Sequence, residues 1–403
     1  LNSLKEEYFA CLALRHTPGL GPKSWARILK HYQGAYEALK DAGAWPSLRL
    51  ASEKCAENTI KELWRVEAEK EFREAMRLSF GVLPWTHPSF PSSLKEIPDP
   101  PTYLYYYGDP ALLSNPAVAV VGSRKSSKLG LDYARRISGD LSRKGITVVS
   151  GFARGIDGCA HKEALKGVGS SIAVLGTGLD VDSYPTGSEE LRRDMIEKGL
   201  ILSEFSPGTR PYAGNFPFRN RIISGVSVGV LVAEADVASG SLITARLAAE
   251  QGREVMALPG PLGEKNFSGC LKLIKEGAAL VETGEDVLMN IRYTLDVEGS
   301  EAPAVNQDRL LKAKPDIKTV KVKNDNNIPG KAQPAKVAVD ISALQPPEYD
   351  IANVLESSGK LHIDEIARNC GLDVSVTGAV ILGMEVKGIV VRFPGMYYDL
   401  KCC

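Results

Sequence analysis

At 403 residues with 44% apolar side chains, the chain is long enough for two or three domains with a sizeable core. Its 49 basic and 49 acidic side chains cancel, which excludes a global attraction to polyanions, so any nucleic acid must be held by a local patch. No apolar run approaches the roughly 18 residues of a membrane span, and the start, Leu1-Asn2-Ser3-Leu4-Lys5-Glu6-Glu7, lacks the basic region and apolar block of a signal peptide, so a cytoplasmic protein without membrane contact is expected.

Apolar positions at helical spacing (Leu12, Leu14, Trp25, Ile28, Leu29, Tyr36, Leu39) mark residues 1–80 as a small helical domain. Inside it, Thr17-Pro18-Gly19-Leu20-Gly21-Pro22-Lys23 resembles a helix-hairpin-helix, which offers backbone amides to phosphate. A plain helix-helix turn explains the same residues. Prolines and aromatics crowd the next stretch, and residues 81–114 read as an extended connector packed on its neighbours rather than as disorder.

From 115 to 292 strands and helices alternate. Strands are predicted at Ala117–Val121, Thr147–Ser150, Ser171–Leu175, Leu200–Ser203, Val228–Ala233 and Glu254–Ala257, and helices at Gly130–Lys144, Gly158–Leu165, Leu242–Gly252 and Leu271–Glu276. Such alternation means a mostly parallel α/β sheet with helices on both faces. Residues 293–346, rich in Lys, Pro, Ala and Asn without a period, read as a flexible linker. Residues 347–403 carry helical patterns at Tyr349–Ser357, Ile363–Cys370 and Val374–Lys387. Two short strands then flank Pro394-Gly395, which is the outline of a winged helix.

Ligands of open α/β sheets sit beyond the carboxyl ends of the strands. There Gly122-Ser123-Arg124 follows the first α/β strand and puts a guanidinium, always charged and shaped for phosphate, on the turn. Gly151-Phe152-Ala153-Arg154-Gly155-Ile156-Asp157 follows the second, Gly176-Thr177-Gly178 the third, and Glu234-Ala235 leads to Ser239-Gly240-Ser241 at a helix start. The amides of Gly240 and Ser241 make a second phosphate seat. Between the fourth and fifth strands, Phe216-Pro217-Phe218-Arg219-Asn220-Arg221 interleaves cations with aromatic faces, the chemistry that single-stranded nucleic acid needs. The competing reading makes the phenylalanines core and pairs the arginines with Glu204 or Glu234.

Neither a P-loop nor a dinucleotide fingerprint is present, which disfavours ATP hydrolysis and hydride transfer. Asp157 and His161, one helical turn apart, read as a first-turn carboxylate and a packed imidazole rather than as an acid/base pair. Seven scattered cysteines, Cys402-Cys403 at the end included, show no metal spacing, so no disulfide, metal or cofactor is expected.

Together with Tyr184-Pro185, Ser203-Glu204, Arg219-Asn220-Arg221-Ile222-Ile223-Ser224-Gly225, Ser241-Leu242-Ile243-Thr244-Ala245 and Pro259-Gly260, these turns are similar in order and spacing to the DNA-processing protein A (DprA/Smf) family. The resemblance covers most of the chain. It implies a Rossmann-like, mostly parallel sheet flanked by an N-terminal helical (helix-hairpin-helix or SAM-like) domain and a C-terminal winged helix. It also implies a non-catalytic single-stranded DNA-binding recombination mediator, a homodimer formed through the Rossmann-like domain, that protects incoming DNA and loads RecA during natural transformation. Its DNA contacts fall on Gly122, Ser123 and Arg124. The residues themselves extend that set to Gly151, Phe152, Arg154, Phe218, Arg219, Asn220, Arg221, Gly240 and Ser241. Two departures stand out: Gly269-Cys270-Leu271 lacks the asparagine usual in the family, and the presumed recognition helix carries Lys387 alone as a cation, too little for groove reading. The rival from another class is a Rossmann-like nucleoside-monophosphate hydrolase with Glu234 as its acid.

Overall fold

The computed structural model describes residues 4–181, 184–297, 344, 346–387, 389–393 and 397–400, and these fall into two units, one before and one after the segment 298–343. In the first unit the helical pattern becomes α1 (Leu4–His16), α2 (Pro22–Tyr32), α3 (Ala35–Lys40), α4 (Glu53–Ile60) and α5 (Arg65–Arg77). Residues 10–14 of α1 are all buried, so it forms the centre against which the amphipathic α2 packs Ile28 and Leu29. Buried Glu7 accepts from the amides of Ala35 (2.6 Å) and Tyr36 (3.0 Å) and so satisfies the start of α3. The Gly19–Gly21 hairpin lies under α4, where Asn58 donates to the Pro18 carbonyl at 2.9 Å.

The chain continues through β1 (Gly81–Pro84), α6 (Ser92–Lys95), β2 (Tyr103–Gly108), β3 (Ala117–Gly122), α7 (Lys128–Arg143), β4 (Thr147–Ser150), α8 (Ile156–Ala164), β5 (Ser171–Val174), α9 (Glu189–Lys198), β6 (Leu200–Ser203), α10 (Asn215–Gly225), β7 (Gly229–Glu234), α11 (Ser241–Glu250), β8 (Glu254–Ala257), α12 (Ser268–Lys275), β9 (Ala279–Leu280) and α13 (Gly284–Val297). They build one sheet of nine strands in the order β1-β2-β6-β5-β4-β3-β7-β8-β9. From β6 to β9 the pairing is parallel. The strands β4 to β7 are buried along their whole length, which is why each carries a short apolar run, with its polar residues confined to the strand ends.

Residues 81–114 are not a connector. They supply β1 and β2, which pair antiparallel with each other and, through Tyr105–Gly108, with β6. Pro84 is tolerated because β1 is the sheet edge, and the prolines between β1 and β2 hide the strand pattern. This strand pair ties the helical module down: the hydroxyls of Tyr103 and Tyr105 both donate to Glu71 at 2.7 Å. Burial pushes the Glu71 carboxyl up, but His16, Arg15 and Ser206 outweigh it and hold its pKa at about 2. At the other end α13 runs on to Val297, so a linker begins no earlier than 298.

The second unit comprises α14 (Glu348–Ser358), β10 (Leu361–His362), α15 (Ile363–Cys370), α16 (Val374–Val386), β11 (Val390–Phe393) and β12 (Tyr397–Leu400). The strands pair in the order β10-β12-β11, and Ile351, Leu355, Ile366, Ile381 and Met384 form its core. This is the winged helix read from the sequence. Residues 298–343 of the expected linker, the Pro394-Gly395 turn and Cys402-Cys403 lie outside the described residues.

Candidate nucleic-acid interface

Successive crossovers carry the chain from β3 to β6 in one direction, and β7 then returns to the other side of β3. The strand order reverses between β3 and β7, and at such a switch point the two carboxyl ends leave a crevice. The crevice is a cavity of about 700 Å³. Gly122, Ser123, Arg124 and Lys125 enter it from β3; Asp236, Ser239, Gly240 and Ser241 from β7; Phe216, Arg219 and Asn220 from α10; and Lys265 and Asn266 from the turn before α12.

Backbone proximity explains the glycines of the first turn. The Ser123 amide donates to the Glu234 carbonyl at 2.7 Å, and a Cβ on Gly122 would stand 2.6 Å from Ile156 and 2.8 Å from that carbonyl. Gly155 has φ +79°, and a Cβ there would overlap the Ser123 carbonyl. The two turns therefore lie in contact, and Arg124 and Lys125 project from them exposed to solvent. The Arg124 guanidinium sits 5.1 Å from the centre of the Phe216 ring, a cation–π contact that orients it without neutralising it. The α11 N-terminus also faces the cavity. There the Ser241 amide reaches only the Ser239 hydroxyl, at 3.4 Å, rather than standing free as the sequence suggests.

The arginine-rich segment is helix α10, and the helical phase sends its arginines inward. Arg219 is 3% exposed and donates through Nη1 to the carbonyls of Gly151, at 2.9 Å, and Val174. Burial draws its pKa down to about 10, against the pull of Asp157 and with the repulsion of Arg124. Arg221, 2% exposed, pairs with Glu204 at 2.8 Å and Asp99 at 3.2 Å beneath the Phe218 ring, 4.1 Å away. The expectation that Arg219 and Arg221 meet phosphate is thus corrected: carbonyls hold one and carboxylates the other. Phe218 keeps 38% of its surface, and Asn220 lines the cavity.

Phe152 is also corrected. It is 2% exposed and packs against His161 at a ring-centre distance of 5.9 Å, so it is wall and not stacking surface. Gly151 is buried, its amide donating to Asp157 at 3.1 Å. Arg154 is exposed but lines a second cavity across the Ala153–Gly155 turn. Asp157 accepts from the amides of Gly151 and Ala153, and burial raises its pKa. His161 meets the Ser171 hydroxyl at 2.7 Å, and burial followed by the nearby Arg219 draws it down to about 3.

Glu234 does not line the cavity. It is fully buried and accepts from the Ser127 amide at 3.0 Å and the Ser127 hydroxyl at 2.6 Å, an anion under the N-terminus of α7. That placement leaves the hydrolase reading without its acid. Cys270 is buried with its Sγ on the Val232 carbonyl, and burial lifts its thiol to about 12. Sequence reasoning passed over Lys125, although it adjoins Arg124, and Lys265, whose approach depends on how the turn after β8 packs. Among the described residues no group of His, Cys, Asp and Glu could hold a metal ion, and no helix is long and apolar enough to cross a membrane.

A family model described as DNA recombination-mediator protein A matches residues 81–292, starting where β1 starts. A second, described as the DprA winged helix domain, matches residues 334–396. Protein Smf of Synechocystis sp. is 33% identical over 97% of this chain and 98% of its own length. Protein Smf of Escherichia coli is 46% identical over 79% of this chain and 77% of its own. The X-ray structure of DNA processing protein A from Streptococcus pneumoniae aligns with a TM-score of 0.61 at 35% identity, covering 72% of this chain and 98% of that one.

Proposed function

The chain belongs to the DNA recombination-mediator protein A family, and from that premise we propose that the crevice beyond β3 and β7 binds single-stranded DNA through its sugar-phosphate backbone. The observation that carries this reading is a local cluster of exposed cations on a chain of zero net charge: Arg124, Lys125 and Lys265 around one cavity. The start of α11 adds backbone for an anion through Gly240, with the Ser241 amide held only by the long 3.4 Å bond to the Ser239 hydroxyl. Phe216, in contact with Arg124, offers an aromatic ring beside these cations, and stacking on such a ring tolerates any base; Phe218 is half-open but lies outside the cavity lining. Arg219 and Arg221 serve indirectly by fixing α10.

The finer role follows the family resemblance: a homodimer that protects incoming DNA and delivers it to RecA during natural transformation. This role requires no catalytic step. Fluorescence anisotropy on a labelled oligo-dT across a salt series tests the DNA site. Arg124→Ala should weaken binding and flatten the log–log salt slope by about 0.7 for each phosphate left without its cation. Unchanged affinity and slope would refute the assignment. For the finer role, RecA's DNA-dependent ATPase should start sooner on a strand pre-bound by this protein, and an unaltered lag would count against delivery.

A further inference from the structure

Across the Ala153-Arg154-Gly155 turn from the crevice lies a second cavity of about 470 Å³, walled by α7, α8 and the approach to α9. Its floor includes Leu131, Phe152 and Leu191, and its rim carries Arg135, Arg154, Lys162 and Lys166 with Glu163 as the acid among the lining residues. The carboxylates nearby are engaged: Glu163 pairs with Lys166 at 2.7 Å and Asp132 with Arg135 at 2.5 Å. Among the described residues Arg154 hydrogen-bonds only to the Thr186 carbonyl, at 3.1 Å, and neither Arg154 nor Lys162 has an ion-pair partner. Both side chains are exposed.

The two cavities share a wall. Ala153 lines both, and the Ile156 amide donates to the Ser123 carbonyl at 3.3 Å, so the turn bearing Arg154 abuts the turn bearing Arg124. Leu131 is the part-open residue of that floor, with Phe152 and Leu191 closed in behind it, so the floor offers bases apolar contact rather than an aromatic face while phosphates run along the cationic rim. A lone phosphate would have no use for that floor.

We propose that a DNA strand seated in the first cavity continues over Ala153 into the second, where Arg154 and Lys162 neutralise its next phosphates. This rests on the reading of the first cavity as a single-strand site. It lengthens the footprint and gives the strand a fixed path around the turn.

The test compares oligo-dT of about 6 and about 20 nucleotides, lengths that bracket the usual site sizes, by anisotropy over a salt series on the full chain. In the Arg154→Ala/Lys162→Ala double variant, affinity for the longer strand should fall about tenfold and its salt slope flatten by about 1.4, the equivalent of two phosphates, while the shorter strand binds as before. The charge-preserving Arg154→Lys/Lys162→Arg variant should bind like the parent, and Arg124→Ala should weaken both lengths. If Arg124→Ala weakens both but the double variant binds both like the parent, or is weakened equally on both, the extension alone is overturned. If Arg124→Ala changes neither length, both readings fall.

Discussion

Arg221→Ala should destabilise the fold and spare DNA binding, the reverse of Arg124→Ala. The guanidinium of Arg221 and the carboxylate of Glu204 are 2% and 3% exposed and 2.8 Å apart. Removing the cation strands a buried charge, which typically costs about 3–5 kcal/mol. The contact with Asp99, which is 35% exposed, adds little because water already screens it. With melting temperatures moving roughly 2–4 °C per kcal/mol in domains of comparable size, the expected decrease is on the order of 6–20 °C. Replacing both partners, as in Arg221→Met/Glu204→Gln, should recover most of it, since the penalty arises from the unpaired charge rather than from the missing attraction. Differential scanning fluorimetry reads the melt, and oligo-dT anisotropy well below it reads affinity. If Arg221→Ala melts with the parent and binds as poorly as Arg124→Ala, Arg221 is a DNA ligand and the inward phase of α10 is wrong.

His161, held near pKa 3 in the fold against an ordinary 6.5, makes stability pH-dependent. The unfolded chain takes up a proton there that the folded chain refuses, so its contribution is complete above about pH 6.5 and declines as pH falls towards 3, by up to a few kcal/mol. Denaturation midpoints of His161→Gln should be flatter than the parent's across that window, and parallel profiles would exclude the buried neutral imidazole. Glu234→Gln should cost about 1–2 kcal/mol through the weakened start of α7 with oligo-dT affinity unchanged. Release of ribose 5-phosphate from a nucleoside monophosphate by the parent, abolished in this variant, would instead revive the hydrolase reading.

What the sequence discloses and what it hides divide along a physical line. The strands Thr147–Ser150, Leu200–Ser203 and Glu254–Ala257 coincide with β4, β6 and β8 because the first two are buried throughout and all three are bounded by turn residues. Arg124 is legible for a related reason: it stands just past a strand end, so the strand itself carries it to the crevice, where Phe216 then orients the guanidinium. The arginines of α10 are not. No element is predicted for their segment from the sequence, and Pro217 stands in the first turn of a helix, where its missing amide costs nothing. Once the segment is helical, the direction of each cation depends on acceptors brought from other strands: Gly151 and Val174 for Arg219, and Glu204 and Asp99 for Arg221. The sequence allows the pairing with Glu204, but composition cannot choose between a carboxylate in the chain and a phosphate outside it. Burial chooses. A guanidinium 2% exposed cannot exchange its carboxylate for DNA without opening α10, whereas Arg124 and Lys125 can take a phosphate with no rearrangement, and the same reasoning makes exposed Arg154 and Lys162 the natural next anchors along the strand.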